Sequence, residues 1–291
     1  MNKADLKPKL DEWILEQRFQ EYAPNTLKAY ANSVKRFIDW LSEDEEITKE
    51  AMLRYKEDLM QDFGSPKSIN CHVIELNKFM KWMDMPDLKL KKVKVQFKQS
   101  NEDVLSISDF KRLLRFAKRN NDHQLYFIMK ILAMTGIRIS ELQYFTVENL
   151  KSNYIKVYNK KKFRTVIVRQ DLMRELKRYA REHGIKEGFL FPSPVKPKQM
   201  VDESTIWRHM KKIAGQARVK KNKVHAHSFR HLFAQIYLET YTDSITELAD
   251  ILGHESLETT RLYTRTSDAQ KRAKLERMDF VKGGKSEITD Y

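Results

Sequence analysis

Four groups of residues in this chain have side chains suited to chemistry. Arg138 stands with Glu141 in TGIRISEL, residues 135–142, and Lys160, Lys161 and Lys162 run consecutively after Asn159. His227 and Arg230 lie in HSFRHLFA, and His254 precedes Tyr263 in LGHESLETTRLYT. Cations, imidazoles and one phenol are what phosphoryl transfer onto a tyrosine needs. A phosphodiester is anionic, and its pentavalent transition state spreads more charge over the equatorial oxygens, which two guanidiniums can grip in bidentate fashion. A phenol with an ordinary pKa of about 10 needs nearby cations or a base to attack. The leaving alkoxide needs a proton, which a lysine on a turn can deliver. Such a scheme calls for no metal.

Each group also has a plain structural reading. Arg138 alone reads as a helix-terminal arginine, the triple lysine as a solvated turn, and Tyr263 as core packing. His227 and His231 stand four apart, a metal-ligand spacing, but Arg230 sits beside them and no Cys or acidic third ligand is near. HESLE at 254–258 lacks the second histidine of a zincin motif, and Gly284-Lys285-Ser286 resembles only the end of a P-loop, with Asp279 where its first glycine belongs. The chemistry therefore depends on whether the fold gathers the four groups.

The elements that would position them are mostly helical. Residues 9–20 place Leu10, Trp13 and Ile14 on one face. After Ala23-Pro24, Asn25 or Thr26 caps a helix carrying Leu27, Tyr30, Val34, Phe37, Ile38 and Leu41. A third helix over 49–61 carries Met52, Leu53, Tyr55 and Leu59, and a fourth over 66–83 carries Ile69, Val73, Leu76, Phe79, Met80 and Met83. Residues 86–103 lack helical period and read as a basic linker. Ser106 to Asp109 opens a helix, another spans 124–135, and Gly136 ends it before Ile139 to Leu142 begin the next. Tyr154–Tyr158 and 163–169 alternate as two strands of a hairpin around the lysine turn. Further helices are expected over 171–183, 204–217, from His225 to Leu238 and over 244–252, with a short strand at 189–191. Gly253 turns the chain, Leu257 and Leu262 face the core, and a polar helix runs on to about residue 280.

Composition agrees with a polyanionic partner. The chain has 291 residues, enough for two ordinary domains, and a net charge of +15. Residues 1–88 hold 13 Lys and Arg against 17 Asp and Glu, whereas residues 100–291 hold 37 against 23, so the basic character is not uniform. Between them KLKKVKVQFK presents Lys91, Lys92 and Lys94, placed to lie along a phosphate backbone. Cys71 is the sole cysteine, which rules out an intrachain disulfide and suits a reducing cytoplasm. The N-terminus lacks an apolar signal core, and the most apolar run, 125–134, is too short to span a membrane.

Together the four groups resemble the tyrosine recombinase (phage-integrase) family in motif, order and spacing, over essentially the whole chain. TGIRISEL, HSFRHLFA with its His-x-x-Arg box, and LGHESLETTRLYT carry the likeness, and the preceding bundle looks like the family's core-binding domain. The lysine turn departs from the family's Gly-Lys-Gly pattern. Lys160 is preferred as the family's lysine because it follows Asn159 where Gly-Lys is expected, with Lys162 the runner-up.

The resemblance implies a mainly α protein with a small β-hairpin in its C-terminal domain. A helical core-binding domain over 1–88, a basic linker over 89–103 and a catalytic domain over 104–291 are expected, with a tail from about 281. It implies that Tyr263 attacks the scissile phosphate and forms a 3′-phosphotyrosyl bond. Arg138, Arg230 and His254 would stabilise the transition state, His227 would act in proton transfer and phosphate binding, and Lys160 would protonate the leaving 5′-oxygen. Glu141 would support Arg138. Lys91, Lys92, Lys94, Lys161 and Lys162 would contact DNA, and no cofactor is implied. Four protomers, monomeric when free, would act on double-stranded DNA with inverted-repeat core sites through a Holliday junction, with accessory DNA-bending or directionality proteins as further partners. Residues 268–291 would dock on a neighbouring protomer. The helical bundle begins near Met1, which suggests a minimal two-domain, Xer-like or transposon-type member working at the nucleoid. A type IB topoisomerase and a non-catalytic DNA-binding relative are the alternatives.

Overall fold

The computed structural model describes residues 3–95, 104–152, 154–159, 162–241, 244–254, 256–261 and 276, with backbone alone at 159, 162 and 261. It divides into two units, Met1–Lys98 and Gln99–Tyr291.

The first unit is a four-helix bundle of α1 (Lys3–Phe19), α2 (Pro24–Trp40), α3 (Lys49–Asp62) and α4 (Pro66–Trp82). α1 begins earlier than its apolar spacing predicts, because the added turns bury Leu6, and Pro8 in its second turn forfeits a single backbone bond. α2 is not capped by Asn25 or Thr26. Ala23 is its extended N-cap and Pro24 its first residue, where a preset φ and a missing N–H both suit a helix start. Trp13 stacks on Tyr30 at 5.3 Å and meets Phe79 at 5.2 Å in the core. Met52, Tyr55 and Leu59 are buried, but Leu53 is exposed, since one step past Met52 turns a helical side chain about 100° off the buried stripe. Between α2 and α4, the buried Ser33 hydroxyl bonds His72 Nδ1 at 2.8 Å and the Glu75 carboxylate.

The basic strip is bound along α4. After a 3-10 turn at Pro86–Leu88 the chain runs extended, and two asparagines of α4 pair with it as a neighbouring strand would. Asn70 Nδ2 donates to Val93 O at 2.9 Å and its Oδ1 accepts from Val93 N at 2.8 Å; Asn77 does the same to Leu90 O and N at 2.9 and 2.8 Å. The match is geometric. Seven helical residues rise about 10.5 Å, and three extended residues span about 10 Å. Leu90 and Val93 consequently turn inward, and Lys91, Lys92 and Lys94 are exposed.

The second unit is built around α6 (His123–Thr135), which follows α5 (Ile107–Arg119). Ser106 and Asp109 form the expected capping box of α5. Leu125, Ile128, Met129, Ile131 and Leu132 bury α6 nearly all round, against α5, α8 (Glu203–Gln216) and α9 (Ala226–Thr240). Past Gly136 the chain forms a 3-10 helix, Ile139–Tyr144, in place of the predicted α-helical start, and a second 3-10 turn follows at Asn149–Lys151. Strands β1 (Tyr154–Asn159) and β2 (Lys162–Ile167) pair antiparallel with Asn159 opposite Lys162. Ile155, Val157 and Val166 face the core, and Tyr154, Tyr158, Phe163 and Ile167 are exposed. β2 stops two residues short of the prediction, because Arg169 is already the extended N-cap of α7 (Gln170–Glu182). The predicted strand at 189–191 is a single bridge, Thr146 with Phe189, too short for a ladder. Asp202 caps α8 and His225 caps α9 by accepting from Ser228 N–H at 3.2 Å. α10 (Ile245–Leu252) closes on Gly253, and α11 (Leu257–Arg261) follows. Leu257, expected in the core, is exposed. Leu262, the polar helix to 280 and the tail from 281 lie outside the described residues. No described helix is long and apolar enough to cross a membrane.

Candidate active site

Two glycines set the site's backbone. Gly136 ends α6 at φ +64°, and a Cβ there would strike Phe233 at 2.6 Å and Leu252 at 2.7 Å. This close approach of α6, α9 and α10 delivers Arg138, two residues on, beside the end of α10. Gly253, also at φ +64°, ends α10 and hands the chain to His254.

A helix leaves its last carbonyls without internal donors and carries partial negative charge there. At α10 three consecutive carbonyls are each taken by a different arginine. Arg164 Nη1 donates to Ile251 O at 2.7 Å, Arg230 Nη2 to Leu252 O at 2.7 Å and Arg138 Nη2 to Gly253 O at 3.2 Å. Arg230 is only 1% exposed and also donates to Gly136 O at 2.7 Å, so α9 clamps the ends of α6 and α10 together. Arg138 keeps about a third of its side chain open.

Glu141 lies beneath, 1% exposed. It accepts Arg138 N–H at 2.8 Å, Arg138 Nη1 at 3.3 Å, and Arg164 Nη2 and Nε at 2.6 and 3.4 Å. Burial would raise its pKa; hydrogen bonds from Arg164 and Arg138 and their charges outweigh it and hold the carboxyl below its ordinary range. The imidazoles go the other way. Burial, then the charge of Arg230, lowers His227. Burial, then Arg230 and Arg138, lowers His254 to about 4. His231, edge-on to His227 at 5.1 Å, is lowered to about 4, chiefly by burial. All three rings are neutral at pH 7. His254 Nδ1 lies 2.8 Å from the hydroxyl of the fully buried Thr260; a hydroxyl donating there puts the ring proton on Nε2.

The structure thus gathers Arg138, Glu141, His227, Arg230 and His254. Lys160, Lys161 and Tyr263 lie outside the described residues, as does the Lys162 side chain, though the Lys162 backbone opens β2. Lys91, Lys92 and Lys94 are exposed on the first unit. Arg164, Thr260 and the carbonyl row were missed. Hairpin alternation carried a signal for Arg164, because it shares the inward face with Val166 and stands opposite the buried Val157. A charge at an inward position requires a partner. Among the described residues no His, Cys, Asp or Glu group gathers to hold a metal ion.

Residues 103–270 match the phage integrase family, and residues 10–89 match the phage integrase N-terminal SAM-like domain. The tyrosine recombinase XerA of Pyrococcus furiosus is 27% identical over 277 residues, covering 94% of each chain. The TnP I resolvase of Bacillus thuringiensis is 26% identical, over 87% of this chain and 93% of its own. The crystal structure of XerA recombinase matches at a TM-score of 0.52 and 26% identity, over 94% of this chain and 100% of that one. A lambda integrase dimer bound to a COC′ core site matches at 0.72 and 16%, over 96% and 80%, which shows a shared fold. With both its domains matched in order, and its motif arginines and histidines gathered at the end of one helix, this chain belongs to the phage integrase family, the tyrosine recombinases.

Proposed function

We propose that this tyrosine-type site-specific recombinase cleaves DNA with Tyr263 as nucleophile and Arg138, Arg230, His227 and His254 as the phosphate site. The observation that carries this reading is the surplus of cations at the end of α10, where, among the described residues, three guanidiniums meet one carboxylate beside His254. An anion suits that surplus. The Tyr263 hydroxyl attacks phosphorus and gives its proton to His227, which is neutral because burial lowers its pKa. The bond from phosphorus to the 5′-oxygen breaks, and Lys160, with Lys162 the other candidate, protonates that oxygen. Arg138 and Arg230 hold the equatorial oxygens, and His254 donates from Nε2.

The phosphotyrosyl ester keeps the bond energy. A 5′-hydroxyl from a second duplex then displaces Tyr263, and two rounds separated by a Holliday junction exchange both strands. A lambda integrase tetramer has been solved on a Holliday junction, and four copies of this chain, monomeric when free, are proposed to assemble likewise on inverted-repeat core sites. Residues 268–291 are proposed to dock on a neighbouring protomer, and accessory DNA-bending or directionality proteins to select the outcome. Lys91, Lys92, Lys94, Lys161 and Lys162 are assigned to DNA phosphates. The domains are taken as 1–88 and 104–291 joined by 89–103, whose first residues pack on α4 of the first, and the protein as acting at the cytoplasmic nucleoid.

The test is a nicked suicide substrate in which cleavage releases a short fragment and strands the covalent complex. Wild type is expected to accumulate it and Tyr263→Phe to bind the DNA without doing so. If neither traps DNA while both bind it, the reading is lost.

A further inference from the structure

Arg138 and Arg230 belong to the motifs; Arg164 does not, yet its side chain makes three hydrogen bonds within the protein. Its side chain is 15% exposed, and each of its three nitrogens donates within the protein. Nε and Nη2 grip the two Glu141 oxygens side-on, and Nη1 holds Ile251 O at the end of α10. A lysine has one ammonium and cannot make both contacts at this spacing. The stem also fills the space beside Gly253, where an added Cβ would lie 2.6 Å from Arg164 Cδ and 3.0 Å from Nε. The same residue lies two positions after Lys162 on β2, the strand that leaves the lysine turn.

We infer that Arg164 is a positioning residue for strand cleavage. It locks the Glu141 carboxylate to the end of α10, so that Arg138 and His254 meet the phosphate in one geometry, and it ties the lysine-bearing hairpin to both. A guanidinium with each of its nitrogens engaged by the protein is committed to holding the site together, so its removal is expected to act on the rate of the bound complex more than on affinity. Misplacement by about 1 Å in such a site costs on the order of 100-fold in rate.

The inference rests on the cleavage reading above, and the same suicide substrate tests it. Arg164→Lys is expected to stay folded and to bind DNA within about 3-fold of wild type, but to cleave saturating substrate about 10- to 100-fold more slowly. Gly253→Ala is expected to slow cleavage too. Combined with Arg164→Ala it is expected to lose less than the product of the two single losses, because the atom that the new Cβ strikes is gone. Cleavage by Arg164→Lys at the wild-type rate overturns the proposal, as does a loss confined to DNA affinity with the saturated rate intact. Single losses that simply multiply in the double variant also overturn it. Where Arg164→Ala fails to fold, Arg164→Lys decides. A wild type that traps nothing overturns the underlying reading and this proposal with it; a wild type that traps while Arg164→Lys keeps pace overturns the proposal alone.

Discussion

Each unit sets a carboxylate among polar partners, and the charge around it differs. In the first unit Glu75 is half-buried beside the Ser33 hydroxyl and His72, whose pKa burial lowers, with Arg36 engaged by Asp62 at 2.5 Å. Donors and acceptors there are matched, and the cluster joins α2 to α4. In the second unit Glu141 is nearly inaccessible and faces Arg138 and Arg164, with Arg230 on the next carbonyl of α10. The negative end of α10 offsets part of the excess, and the remainder suits an anion. A cluster with no cationic surplus holds helices together; one whose cations outnumber its carboxylate, an imbalance placed where a partly open arginine reaches solvent, suits an anion.

The largest expected effect comes from widening that imbalance. Glu141→Gln keeps the shape but leaves the arginines without their counter-charge. It is expected to lose roughly 1–3 kcal/mol of stability at pH 7, read by urea unfolding, and most covalent trapping. The pH dependence has a definite sign. The folded-state pKa of Glu141 lies below 4.5, so its stabilisation is complete above the unfolded value and disappears as pH falls through the folded one. Wild type is expected to lose this part of its stability below about pH 4.5, and Glu141→Gln to lack that component. Parallel acid transitions would place the counter-charge elsewhere.

Filling the imbalance is the next, smaller effect. His254 is held to about 4 by burial and by the neighbouring arginines. A bound phosphodiester neutralises those arginines, so DNA binding is expected to raise the His254 pKa from about 4 toward its ordinary 6.5 and to take up protons between those values. Calorimetry in buffers of different ionisation enthalpy measures this uptake, and its disappearance in His254→Gln assigns it. The same lowered pKa makes the protein less stable as pH falls from about 6.5 toward 4, because the unfolded histidine takes a proton that the folded one refuses.

The Ser33 cluster provides the smallest effect. Ser33→Ala removes one buried hydroxyl from between His72 and Glu75 and is expected to cost about 1 kcal/mol. Trapping at saturating DNA should be unchanged while the protein is folded. A trapping defect there would erase the distinction between the two clusters.

How far the sequence carried the reading follows the same division. Helical periodicity located the bundle helices, because apolar stripes with Pro and Gly breaks are local signals. Ser106 with Asp109 announced α5 for the same reason. The motif spacing named Arg138, His227, Arg230 and His254, which the fold brings together. It did not find the row of carbonyls that holds the arginines, because backbone atoms have no letter in a sequence. Arg164 was hidden for a related reason: its partners, Glu141 and Ile251, lie 23 and 87 residues away. Leu53 and Leu257 failed because apolar identity does not by itself tell which face of a helix is covered.

The asparagine pair on α4 has a consequence for where the protein can be cut or lengthened. Asn70 and Asn77 read a distance as much as a sequence. One residue inserted between Leu90 and Val93 would break the match, so that only one of the two amides could keep its backbone pair. An N-terminal fragment ending at Leu88 would leave both amides unbonded and strip Leu90 and Val93 from the core; one ending at residue 95 would keep them. The basic strip is therefore part of the N-terminal unit's packing.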